Sequence, residues 1–64
     1  MRAELANRLV HGIQLLHLEG YDYYTEKTLS ETTGVSVSTL KRNRYMINLL
    51  DIALRISGGE DEIQ

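Results

Sequence analysis

Lys41, Arg42 and Arg44 place three cationic side chains within four consecutive positions; Ser36, Ser38 and Thr39 lead into them and Tyr45 follows. These residue types share one chemistry. Arginine offers a planar fork of donors that matches two acceptors at once, on a phosphate or on the O6/N7 edge of guanine. Lysine adds a mobile point charge, and hydroxyls of serine, threonine and tyrosine donate to phosphate oxygens or to mixed base edges. Ser36, Ser38, Thr39, Lys41, Arg42, Arg44 and Tyr45 are therefore the candidate DNA-contacting residues. A run of basic residues is ordinarily a solvated face. Here the run directly follows a turn and a helix cap, which favours a face held toward a ligand.

The other polar residues suggest less. His11 and His17 are six residues apart, which on a helix puts them on different faces and argues against a shared metal site. Tyr21, Tyr23 and Tyr24 have the chemistry to stack on bases, but in a small domain such tyrosines more often cover the rim of the core. The chain has no cysteine, no phosphate-binding glycine loop and no zinc motif. No catalytic activity, cofactor, metal or small-molecule ligand is expected.

The elements that must position these residues read as helices. Leu5, Leu9, Ile13 and Leu16 recur at helical spacing and predict an amphipathic helix over 2–19, with Gly20 at its left-handed end. Gly12 inside that pattern weakens the helix and leaves room for another one to approach. Thr25 suits the cap of a short helix over 26–33, with Glu26 in the first turn where the helix dipole favours an acid. Gly34 ends it, Val35 is apolar, and Ser36 caps a third helix over about 37–44. Residues 45–56 are apolar almost all round, and Ser57-Gly58-Gly59 is expected to stop the last helix. The expected fold is all-α, about four helices over residues 1–56, with a flexible acidic tail over 57–64.

The segment from Glu26 to Tyr45 resembles the helix-turn-helix of bacterial and phage DNA-binding proteins. Leu29 and Leu40 are spaced to fill the angle between two helices, and Ser30 is small where they cross. Gly34 supplies positive φ, Val35 anchors the turn, and Ser36 caps the second helix and leaves backbone N–H groups free for a phosphate. Glu19-Gly20-Tyr21-Asp22 followed by Gly34-Val35-Ser36-Val37-Ser38-Thr39-Leu40 is similar to the amino-terminal domain of tetracycline-repressor-like regulators. Ser38-Thr39-Leu40-Lys41-Arg42 is also similar to excisionases and mercury-resistance-type regulators. The 64 residues depart from both: they include no large ligand-binding domain, and Asn43 stands where the second group usually carries tryptophan. The resemblance implies a recognition helix over about 37–44 in the major groove of double-stranded DNA. It implies a small transcriptional regulator of bacterial, plasmid or phage origin. A recombination directionality factor, or another architectural DNA-binding protein, is the alternative within that class. A helical interaction module such as an antirepressor or adaptor, without DNA binding, is the alternative outside it.

The formal net charge of −2 opposes a nucleic-acid role only as a total. Three of the nine acids, Glu60, Asp61 and Glu62, lie in the last five residues, so residues 1–56 carry six acids against all seven bases, a net charge of +1. Local charge governs contact with one edge of a small protein. No apolar run reaches the ~18 residues of a membrane span, and the amino terminus has no signal-peptide pattern, so a cytoplasmic protein is expected. The wide apolar face of the last helix predicts a homodimer, with Met46, Leu49, Ile52, Ala53 and Ile56 outward and Ile47, Leu50 and Leu54 inward.

Overall fold

In a computed structural model the chain is described over residues 3–63, with side chains through Ser57. Four helices follow one another: α1 (Ala3–Leu18), α2 (Glu26–Thr33), α3 (Val37–Arg42) and α4 (Arg44–Ile63). The described residues contain no strand. Each of the first three helices stops for a local reason. Gly20 closes α1 at φ 90, where its N–H donates to the His17 carbonyl and that of Tyr21 to the Leu16 carbonyl. Thr25 caps α2 by accepting the Thr28 N–H at 3.2 Å, and Gly34, at φ 76, returns its N–H to the Ser30 carbonyl at 2.8 Å. Both glycines occupy the left-handed region that a side chain disfavours.

The core is built from one stripe of α1 and single anchors from everything else. Leu9, Ile13 and Leu16 of α1 meet Leu29 of α2, Val35 of the turn, Leu40 of α3 and Ile47 of α4, all buried. Leu5, Tyr24, Met46, Leu50 and Leu54 pack around them, partly covered. The short helices α2 and α3 each bury one leucine and depend on α1 and α4 for the rest of their stability. At Gly12 α1 and α2 approach closely: a Cβ built there would run into Cγ2 of Thr33. That threonine is fixed, because its hydroxyl donates to the Leu29 carbonyl at 2.7 Å and accepts the Val35 N–H at 3.1 Å.

Three expectations are corrected. The third helix ends at Arg42, because Asn43 leaves helical geometry (φ −112, ψ 20) and its side-chain amide donates to the Thr39 carbonyl at 2.8 Å. Asparagine competes with the helix in this way wherever its short amide reaches a nearby carbonyl. Arg44 and Tyr45 therefore belong to α4. Second, Ser57-Gly58-Gly59 does not stop α4, whose backbone continues helical to Ile63; glycine costs about 1 kcal/mol in a helix relative to alanine, a penalty rather than a block. The expected flexible tail over 57–64 falls largely on residues 58–64, outside the described side chains. Third, Met46 is packed against the core rather than facing outward, while Leu49, Ile52, Ala53 and Ile56 are exposed and Ile47, Leu50 and Leu54 turn inward. Among the described residues no helix is long and apolar enough to cross a membrane.

Candidate nucleic-acid interface

The turn between α2 and α3 takes three residues, Gly34 to Ser36. Gly34 reverses the chain, and Val35 is buried, so the turn is tied to the core rather than free to swing. Ser36, in extended geometry (φ −63, ψ 149), accepts the Thr39 N–H on its Oγ at 3.3 Å and donates its own proton to Thr39 Oγ1 at 2.9 Å. The Ser38 hydroxyl lies 3.3 Å from that of Ser36. Three hydroxyls thus cluster at the start of α3, two of them on exposed residues, Ser36 and Ser38, with Thr39 half-covered.

Leu40 points into the core, which turns the rest of α3 outward. Val37, Ser38, Lys41 and Arg42 are all exposed. At 3.6 residues per turn Ser38, Lys41 and Arg42 fall on one face, at offsets of three and four residues. Among the described residues neither Lys41 nor Arg42 has an acidic partner within salt-bridge distance, and that face of α3 carries no acid.

The seven residues singled out in the sequence separate into two groups. Ser36, Ser38, Thr39, Lys41 and Arg42 are brought together on α3 and its cap. Arg44 opens α4, and its guanidinium lies 3.2 Å from Glu26 of α2, a pair that joins the first turn of α2 to the first turn of α4. Tyr45 is exposed on α4, one residue further from α3. Val37 is not among the seven. An apolar residue at a helix start reads as core, yet here it is exposed beside Ser38.

A second polar cluster holds the scaffold on which α3 sits. Asp51 of α4 receives three donors: His17 Nε2 lies 2.6 Å from Oδ1, the Tyr24 hydroxyl donates to the same oxygen at 2.8 Å, and Arg55 Nε donates to Oδ2 at 3.1 Å. Arg55 also donates to the carbonyl of Asp22 at 2.9 Å. The end of α1, the 21–25 connection and the middle of α4 are thus bound to one carboxylate. Partial burial opposes ionisation of Asp51, but the hydrogen bonds from His17, Arg55 and Tyr24 together outweigh it and hold its pKa below the usual carboxylate value. Burial, and then the bond to Asp51, push the Tyr24 hydroxyl pKa well up. Tyr24 is therefore a tyrosine of the core rim, as expected; Tyr23, expected there too, is instead 90% exposed. The Asp51 cluster was not legible in the sequence, because its partners lie up to 34 residues from Asp51 and follow no motif.

No family model, curated protein or solved structure matches this chain.

Proposed function

We propose that this protein binds double-stranded DNA through a helix-turn-helix formed by α2, the turn Gly34–Ser36 and α3, as a small transcriptional regulator. One observation carries the reading: the outward face of α3 presents only hydroxyl, basic and small apolar side chains, on a helix tied to the core at both the turn and Leu40. Arg42 and Lys41 supply the contacts to guanine edges or phosphates, Ser36, Ser38 and Thr39 the hydroxyl donors, and Val37 an apolar surface for a thymine methyl. Arg44 contributes charge at the margin, where its pairing with Glu26 leaves it less free than Lys41 or Arg42. α1 and α4 serve as the frame that fixes the angle of α3.

A gel shift against random duplex DNA at low salt tests this directly, followed by site selection. Retarded complexes that weaken as salt rises are the expected result. Arg42→Ala is expected to cost roughly 1–3 kcal/mol and to relax preference at one base pair. A wild type that leaves duplex DNA unshifted at low salt overturns the reading. Lys41 and Arg42, without an acidic partner among the described residues, suit equally a second reading, a helical module whose basic α3 meets an acidic protein surface. The same low-salt experiment separates the two.

A further inference from the structure

α4 is apolar on two opposite sides, and its own domain uses only one. Ile47, Leu50 and Leu54 pack into the core. Tyr45, Leu49, Ile52 and Ile56 are 78%, 49%, 55% and 59% exposed. On a helix turning 100° per residue the two lines lie about 160° apart. The outward four are spaced by four, three and four residues, the interval at which one helix presents a continuous seam to another.

We propose that α4 pairs with α4 of a second copy of this chain, antiparallel, along the seam Tyr45, Leu49, Ile52 and Ile56. Seam and flanks are compatible with a copy of themselves. The residues beside the seam are Met46, Asn48, Ala53 and Arg55, of which only Arg55 is charged. Arg55 is held toward its own domain by Asp51 and by the Asp22 carbonyl, so it does not oppose its counterpart. An acidic membrane surface or an acidic peptide would require basic residues along this face, and the seam between 45 and 56 offers none besides Arg55.

The antiparallel register follows from length and charge. Setting Tyr45 opposite Ile56 places Leu49 opposite Ile52, so each of the four residues finds an apolar partner across a two-fold axis. A parallel pair would bring both sets of Lys41, Arg42 and Arg44 to one end. The antiparallel pair separates the two Arg44 residues by about 20 Å along the helix axis. The exposed parts of the four side chains come to roughly 400–500 Å² per copy, so two copies with their flanks reach the ~1,000 Å² of a specific interface. This pairing does not depend on DNA binding, and its test uses none.

Sedimentation equilibrium of the whole chain at high micromolar concentration is expected to show a dimer. Leu49→Asp and Ile52→Lys place a charge on a half-exposed position. Each is expected to weaken association at least about tenfold while leaving the helical circular dichroism unchanged. The chain has no cysteine, so introduced ones report register without interference. Tyr45→Cys/Ile56→Cys is expected to oxidise to a covalent dimer. Tyr45→Cys alone is expected to stay monomeric under denaturing conditions, since its two introduced thiols would lie about 16 Å apart along the axis, beyond disulfide reach. A wild type that remains monomeric, a Leu49→Asp variant that dimerises normally, or efficient cross-linking of Tyr45→Cys alone overturns the proposal.

Discussion

At the scale of single residues, the fold depends on positions where one atom has no room to move. Gly12 is one. A methyl there collides with Thr33 Cγ2, and Thr33 is held by two hydrogen bonds. Gly12→Ala improves intrinsic helix propensity by about 1 kcal/mol and is nonetheless expected to lower the melting temperature, because overpacking a closed helix contact costs roughly 1–3 kcal/mol. Thr33→Ser keeps the hydroxyl and removes the methyl, so the double variant Gly12→Ala/Thr33→Ser is expected to melt above Gly12→Ala. Failure of the serine to rescue would show that the contact is not with that methyl. Gly34 is limited by conformation instead, since nothing lies within 4 Å of a Cβ built there. Gly34→Val is expected to destabilise by about 1–3 kcal/mol through positive φ, and Ser36→Ala by about 1 kcal/mol through its lost cap. Equal, near-zero shifts in thermal melts would contradict both assignments.

Asp51 makes stability depend on pH in a stated direction. Its carboxyl has a lower pKa in the folded chain than in the unfolded one. The stabilisation is complete above the unfolded value, about pH 4, and is lost as the pH falls through the folded value, where the native carboxylate is also protonated. Asp51→Asn is therefore expected to destabilise the protein near neutral pH and to flatten the acid limb of its stability profile. Chemical denaturation between about pH 2 and pH 7 measures it. A variant whose acid limb runs parallel to the wild type would show that Asp51 is not the titrating group.

At the scale of elements, the sequence is most readable where a physical rule acts locally. Thr25, Gly34 and Ser36 stand where caps and left-handed glycine are required, and the helices begin and end on them. Leu9, Ile13 and Leu16 repeat at helical spacing and form the core stripe. Misreading came where two rules compete. Asn43 sits in a stretch with continuous helical character and breaks it through a side-chain bond to Thr39, which no periodicity reveals. Gly58 and Gly59 look like a stop, yet they fall within a helix that runs on to Ile63. Met46 and Leu49 are both apolar and three apart. Only the packing of the core against α4 decides that the first is partly covered and the second is exposed. Of the candidate site, the cap and the basic end of α3 were legible because they are contiguous. The exposure of Val37 and the Glu26–Arg44 pair were not, since both depend on where α2 and α4 lie in space.

At the scale of the whole molecule, the placement of charge is what reconciles an acidic total with the proposed nucleic-acid ligand. The described bases of α3 are unpaired by acids among the described residues, whereas Arg8, Arg44 and Arg55 are each within 4.0 Å of one. A two-fold pair of such domains presents two α3 helices, so a selected binding site is expected to be an inverted repeat with half-site centres about 34 Å apart, one turn of DNA. Recovery of single half-sites from a chain that dimerises in solution would separate the DNA contact from the pairing. The central claim, that α3 is the DNA-contacting helix, is tested most directly by measuring duplex affinity against salt concentration for the wild type and for Lys41→Ala/Arg42→Ala. The account predicts that the wild type binds with an affinity falling steeply as salt rises, and that the folded double variant binds more weakly with a slope shallower by about one unit, the share of one lost phosphate contact. A double variant with native circular dichroism, unchanged affinity and unchanged slope would contradict it.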